Sequence, residues 1–349
     1  MTDSEYCTVD TSNGPVRGYG RRGVIKFKGI PYAASPVGDL RFQPPAPVEP
    51  WTEVRDALAY GPIAPQPPSE LEEMFGETKP MDEDGCLTLN IWTQAIDSKK
   101  RPVMFWIHGG GFITGSGAAY DGARLVLRGD VVMVSINYRL GALGFLHFSD
   151  TPDASSNLGL LDMVAALKFV KENIANFGGD PDNVTIFGES AGGFAVASLL
   201  AMPAAKGLFH RAITQSGAAH PQGFKAEAAL KVNNELSTKL GIENNDIKAL
   251  RQKPFQDLID AQTAITARDP NALTLGALRF GPVVDGDSLP HHPLEAVKEG
   301  FAKEIDLFVG TNLDETKLWN MWNPKADDLD ESLLEKAARQ HADLVGKEE

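Results

Sequence analysis

The sequence predicts an α/β fold with a central, mostly parallel sheet and crossover helices. Three observations carry that expectation. From Val103 onward, short apolar β-branched runs alternate with helical periodicity, the pattern of strand–crossover–strand units. The runs are continuously apolar rather than alternating, as strands covered on both faces are. Each run also ends at once in a polar or glycine-rich turn, where an open parallel sheet gathers its functional groups.

Residues 1–100 read as an irregular lead-in. Short strand-like runs, Val24 to Phe27 and Leu87 to Trp92, flank a proline-rich stretch from Gln43 to Pro68. Prolines at that density forbid helix and central strand, so the stretch is expected to be loop. The sheet runs follow as Val103 to Ile107, Val131 to Ile136, Val184 to Phe187, Ala212 to Thr214 and Ile305 to Val309. Between the second and third, Leu160, Val164, Leu167, Val170, Ile174 and Phe177 recur at helical spacing and predict an amphipathic helix. Gly178-Gly179-Asp180-Pro181 is its stop signal. Residues 225–270 read as helices that cap the sheet edge or a pocket. All 349 residues are expected to form a single domain.

Composition narrows the function. A formal net charge of −14 disfavours nucleic acid and anionic membrane as partners, because both select basic patches. Met1-Thr2-Asp3-Ser4-Glu5 lacks the basic-then-apolar pattern of a secretory leader, and no apolar run reaches the length of a membrane span. A cytoplasmic protein with Cys7 and Cys86 reduced is therefore expected. Nothing resembles a metal-ligand cluster, and no metal or organic cofactor is implied.

Asn183-Val184-Thr185-Ile186-Phe187-Gly188-Glu189-Ser190-Ala191-Gly192-Gly193 is the most informative segment. It reads as a strand, a Gly-x-Ser-x-Gly turn and a helix opening at Ala191, the order of a nucleophile elbow. Four other strand-end turns converge on the same edge: His108-Gly109-Gly110-Gly111-Phe112, Asn137-Tyr138-Arg139, Gln215-Ser216-Gly217, and Gly310 to Glu315. Acyl transfer needs a serine activated by a base, preorganised donors for the oxyanion, and a carboxylate to orient the base. Ser190 is the candidate nucleophile. Ala191, Gly110 and Gly111 are the candidate oxyanion N–H donors. Asp314 and Glu315 both follow a strand and the serine, and the residues alone leave the choice between them open.

These motifs resemble the type-B carboxylesterases of the α/β-hydrolase fold. The matching segments include Phe27 to Ala33, Leu40-Arg41-Phe42, Cys86 to Trp92, Trp106 to Phe112, Asn137 to Phe145, Asn157 to Asp162, Asn173 to Gly193 and Gln215 to Gly217. The segment Leu200 to Phe209 is similar to the family's bacterial p-nitrobenzyl esterases. The resemblance implies a serine hydrolase that cleaves a small-molecule carboxylic ester through an acyl-enzyme. It implies Ser190 as nucleophile, Glu315 as the acid, Gly110, Gly111 and Ala191 as oxyanion donors, and Ser216 as support for the acid. A carbamate or amide hydrolase with the same site is the alternative. So is a non-catalytic binding relative or an inactive fragment, although such relatives have typically lost the serine.

Three departures accompany the resemblance. The family's cysteine partner for Cys86 is replaced by Ala64, so that disulfide cannot form. The acidic pair before the cysteine reads Asp84-Gly85, which is expected to remove one carboxylate near Arg41. The third concerns the base, which the resemblance places in a loop well beyond the acid. Only His341 follows Glu315, and it falls among Leu333, Leu334, Ala337, Ala338, Leu344 and Val345 in a helical pattern. His108 belongs to the glycine loop, and His147, His210, His220, His291 and His292 precede the acid. The chain is therefore expected to lack its base, to be C-terminally truncated, and to leave a sheet edge unpaired.

Overall fold

The computed structural model of the chain describes residues 5–69, 80–149, 153–218, 225–243, 246–266 and 279–315, with isolated positions further on. Ten strands among these residues join one sheet. They are β1 (Glu5–Thr11), β2 (Gly14–Arg21), β3 (Val24–Pro31), β4 (Arg55–Asp56), β5 (Thr88–Thr93), β6 (Arg101–Ile107), β7 (Val132–Ile136), β8 (Gly179–Glu189), β9 (Arg211–Gln215) and β10 (Asp306–Gly310). Their order is β1-β2-β3-β5-β7-β6-β8-β9-β10, with β4 beside β2. Neighbours are antiparallel from β1 to β7 and parallel from β7 to β10. The five expected runs make up the parallel half.

The antiparallel half corrects the expectation of an irregular lead-in. β2 and β3 are joined by Arg22 and Gly23, with φ of 54° and 79°. Two successive positive φ values match the right-handed twist of a hairpin. Gly18 faces the Phe27 ring so closely that an added Cβ would lie 2.6 Å from it. Such glycines, on strands that leave many side chains exposed, hide the alternation by which a strand is read.

Helices α1 (Ala123–Gly129), α3 (Leu158–Asn173) and α4 (Ala191–Ala201) pack on the central strands, and α2 (Gly141–Phe145) packs on α3. α3 continues as a 3₁₀ turn, Ile174–Phe177, and stops at Gly178, whose φ of 82° is the left-handed cap that glycine takes without strain. α5 (Ala226–Lys239), α6 (Ile247–Gln252) and α7 (Phe255–Thr266) fulfil the helical reading of residues 225–270. They pack elsewhere than on the sheet edge. Arg41 Nη1 donates to the Arg251 carbonyl at 2.8 Å, Gln262 Oε1 accepts from the Ala142 N–H at 2.7 Å, and Asn233 Nδ2 donates to the His147 carbonyl at 2.9 Å. α8 (Pro293–Lys298) packs on α4.

β7 is buried along its whole length, whereas β10 is open to solvent. Leu307, Phe308 and Val309 are 43%, 67% and 56% exposed, so the fifth run is not covered on both faces. Among the described residues β10 pairs with β9 alone. The expected loss of a carboxylate near Arg41 is also corrected. Arg41 Nε donates to Glu83 Oε1 at 2.7 Å, its Nη2 pairs with Glu83 Oε2, and both side chains are buried. Glu83 stands one residue further from Cys86, and Gly85, at φ 78°, takes up the extra residue in a turn. Cys7 and Cys86 are both free thiols, and Ala64 is buried.

Candidate active site

β8 lies between β6 and β9, and β10 lies beyond β9. The register sets Ile107 beside Gly188, Gly188 beside Thr214, Glu189 beside Gln215, and Gln215 beside Gly310. Four strands therefore end level with one another, and the turns after them meet at one sheet edge.

Ser190 follows β8 with φ 53° and ψ −121°, a conformation that side-chain-bearing residues rarely adopt. Its N–H donates to the Gln215 carbonyl at 2.9 Å, and its carbonyl accepts from the Phe194 N–H at 3.0 Å. Close backbone crossings hold it there. An added Cβ would lie 2.1 Å from the Ile107 carbonyl oxygen at Gly192, and 2.2 Å from the Ser190 carbonyl oxygen at Gly217. α4 starts at the next residue, Ala191, and points its N-terminus at the serine. Among the described residues none hydrogen-bonds to the Ser190 hydroxyl, which is half-buried.

The glycine loop after β6 lies against this turn. A Cβ at Gly109 would be 3.3 Å from Ser190 Cβ and 2.8 Å from the Glu189 carbonyl oxygen. Gly110 and Gly111 have φ of 103° and 63°. The Gly110 carbonyl accepts from the N–H groups of Ile113 and Thr114, at 3.1 and 2.9 Å, which turns it into the loop. The root of the loop is rigid. His108 is buried and stacks on Tyr138 with 4.3 Å between centroids, and the Tyr138 hydroxyl donates to the His108 carbonyl at 2.8 Å. Burial pushes the His108 pKa down to about 4, so the ring is neutral at pH 7. Its Nδ1 lies 2.8 Å from the Gly109 carbonyl, which can only accept, so the proton sits on Nδ1.

Ser216 and Glu315 occupy the adjoining turns. Ser216, at φ 50°, donates its N–H to the Gly310 carbonyl at 2.8 Å. Glu315 Oε1 accepts from the Asn312 N–H at 2.6 Å. Donation from the Ser216 hydroxyl, and then from Asn312, holds the Glu315 carboxyl below its ordinary range. Asp314 instead pairs with Lys317 at 2.8 Å on the surface. Glu189, next to the serine, is pushed upward by desolvation and then by the charge of Glu315. The structure thus brings Ser190, Ala191, Gly110, Gly111, Ser216 and Glu315 to one edge.

Among the described residues no histidine hydrogen-bonds to Ser190 or Glu315. Among the described residues, His147 Nδ1 bonds to Ser156, His210 Nδ1 accepts from the Val184 N–H, and His292 caps α8. His291 packs on Phe301, and His108 holds the glycine loop. His220 and His341 lie outside the described residues. Gln66 is the residue near this edge that sequence reasoning missed: its side-chain amide bonds to both backbone groups of Gly115 at the far end of the glycine loop. Its position inside a proline-rich stretch gave no signal.

The model of the carboxylesterase family matches residues 5–347. The chain belongs to the carboxylesterase family. It is 45% identical over 342 residues to the para-nitrobenzyl esterase of Bacillus subtilis (strain 168), an alignment that takes in 97% of this chain and 68% of that protein. The phenmedipham hydrolase of Pseudarthrobacter oxydans is 40% identical over 342 residues, with 95% and 67% covered. A solved structure of a PNB esterase superposes with a TM-score of 0.83 at 45% identity, across 90% of this chain and 65% of that one. The chain thus spans about two thirds of the length of these relatives, and its α/β-hydrolase fold is that of the carboxylesterases.

Proposed function

We propose that this chain is a carboxylic ester hydrolase of small-molecule esters, working through an acyl-enzyme on Ser190. The observation that carries the proposal is the strained serine, packed against a glycine loop and level with an ionised Glu315. Ser190 Oγ attacks the ester carbonyl carbon, its proton passing to a base or, where none is in place, to water, and the carbonyl oxygen takes the negative charge. The N–H groups of Gly110, Gly111 and Ala191 stabilise that oxyanion, a contribution of about a hundred- to a thousandfold per donor. The C–O bond to the alcohol then breaks, and water releases the acid from Ser190. Glu315, held by Ser216, serves to orient a base and to stabilise its cation.

That base is not among the described histidines, and neither His220, which precedes the acid, nor His341, in its helical pattern, suits the role. Loss of the histidine in a comparable triad costs about a millionfold and leaves the rate that binding and oxyanion stabilisation supply. The purified chain is thus expected to hydrolyse p-nitrophenyl acetate slowly but above the buffer rate. That residual rate should survive in Ser190→Ala, because binding and oxyanion stabilisation do not need the serine. Prolonged incubation with the ester should instead leave an acetyl adduct on Ser190 that peptide mass spectrometry finds and that the variant lacks. A parental chain that forms no such adduct refutes the proposal. Turnover on the order of 1–1,000 s⁻¹, the ordinary enzymatic range, would show that a base is in place after all.

The proposal extends to a single domain in a cytoplasmic setting, without a nucleic-acid partner, in keeping with the acidic composition. Among the described residues no helix is long and apolar enough to cross a membrane.

A further inference from the structure

Gln66 is a buried polar residue in a proline-rich segment far from the serine in sequence. Its Nε2 donates to the carbonyls of Gly115 and Ala64, each at 3.0 Å, and its Oε1 accepts from the Gly115 N–H at 2.8 Å. One side chain therefore satisfies both backbone groups of Gly115, as a neighbouring strand would. The backbone of Gln66 is itself anchored: its N–H points at Met81 Sδ at 3.1 Å, and Ile63 bridges the segment at Met81.

Gly115 transmits this anchorage to the site. At φ 108° it lies so close to the start of the loop that an added Cβ would be 2.4 Å from His108 Nδ1 and 2.6 Å from the Gly109 carbonyl oxygen. Gly109 in turn touches the Ser190 turn. Other supports come from the sheet side: Tyr138 on the His108 carbonyl, Asn137 Oδ1 on the Gly117 N–H at 2.9 Å, and Ser135 Oγ on the Gly117 carbonyl at 2.8 Å. Gln66 holds the returning end at Gly115, on a segment that Asn137 Nδ2 also ties to the sheet through the Pro62 carbonyl at 3.1 Å.

We propose that Gln66 is a positioning residue for the oxyanion site: its amide clamps Gly115 and thereby sets the Gly110 and Gly111 N–H groups opposite Ser190. The proposal rests on the reading of Ser190 and these donors given above. Water can replace the bonds to Gly115 and can even bridge it to Ala64, but such a water is held only by those bonds, whereas the amide is fixed to the Gln66 backbone. Without the amide, the loop keeps its internal bonds and loses its fixed distance from the serine. A misplacement of about 1 Å at such a site costs on the order of a hundredfold.

The test uses the full chain with Gln66→Ala and Gln66→Glu, the latter keeping an acceptor for the Gly115 N–H while removing both donations. Two quantities are measured: the rate constant of Ser190 phosphonylation by an alkyl fluorophosphonate, separated from the probe's reversible affinity, and amide hydrogen exchange by mass spectrometry. In both variants the bond-forming rate should fall about ten- to a hundredfold with the reversible affinity unchanged. Exchange should rise in residues 108–116 and not in β5, β7 or α3. Exchange that rises across the whole sheet marks a merely structural role and overturns the proposal. So do parental labelling rates in both variants. A parental chain in which Ser190 fails to label overturns the assignment of the serine itself, and the clamp with it.

Discussion

Ser190 occupies a backbone region that costs a side-chain-bearing residue on the order of 1–3 kcal/mol. The turn survives because Gly192 and Gly217 admit backbone crossings that any Cβ would block. This was legible in the sequence, since Gly-x-Ser-x-Gly between strand and helix states both the strain and its remedy. The choice of acid was not, because Asp314 and Glu315 are adjacent and chemically alike. Only the fold shows that Asp314 pairs with Lys317 while the Glu315 carboxylate accepts from the Asn312 N–H. His108 yields a prediction at this scale. Burial lowers its pKa from 6.5 to about 4, so the unfolded chain takes up the proton first as pH falls. The stability held by the neutral ring is complete above pH 6.5 and is lost toward pH 4, at about 1.4 kcal/mol per pH unit. His147, lowered by the same cause, adds to the loss. Urea unfolding followed from neutral pH to about 4 should show a shallower decline in His108→Phe than in the parental chain. Equal slopes would contradict the buried neutral ring.

At the scale of elements, the site depends on how β7, α3 and the glycine loop are tied together. Arg139, just after β7, donates from Nε and Nη2 to Asp162 of α3 at 2.8 and 2.6 Å, and both side chains are buried. Removing one member leaves an uncompensated buried charge, so Arg139→Ala should destabilise by about 3–5 kcal/mol. Combining it with Asp162→Leu should recover part of that loss in chemical denaturation, and a double variant no more stable than the single would count against the pair. α3 and the β8–α4 elbow were readable because their periodicity and stop signals are local. β1 and β2 were not, because their stability lies in ladders with neighbours and the glycines of β2 break its strand pattern. Gln66 was equally hidden, with a partner 49 residues away.

Across the described residues as a whole, the sheet grades from a buried centre to an exposed margin at β10. Continuous apolar runs announced the parallel strands, yet a run such as Ile305 to Val309 looks the same whether or not anything covers it. Among the described residues Leu307, Phe308, Val309 and Leu313 all face solvent beside the site. An apolar edge strand is a template for pairing with another chain, and the net charge of −14 opposes that only in part. Light scattering on a size-exclusion column should show association that grows with concentration and is reduced by Phe308→Lys. A parental chain that stays monomeric at every concentration would contradict this reading of the edge.

Covalent labelling reads the Ser190 hydroxyl directly. The folded chain should be incubated at length with an alkyl fluorophosphonate and the adduct located by peptide mass spectrometry. Modification is expected at Ser190, abolished by Ser190→Ala and retained in Asp314→Asn. An adduct on another residue, or a folded chain whose Ser190 stays unmodified, would contradict that expectation.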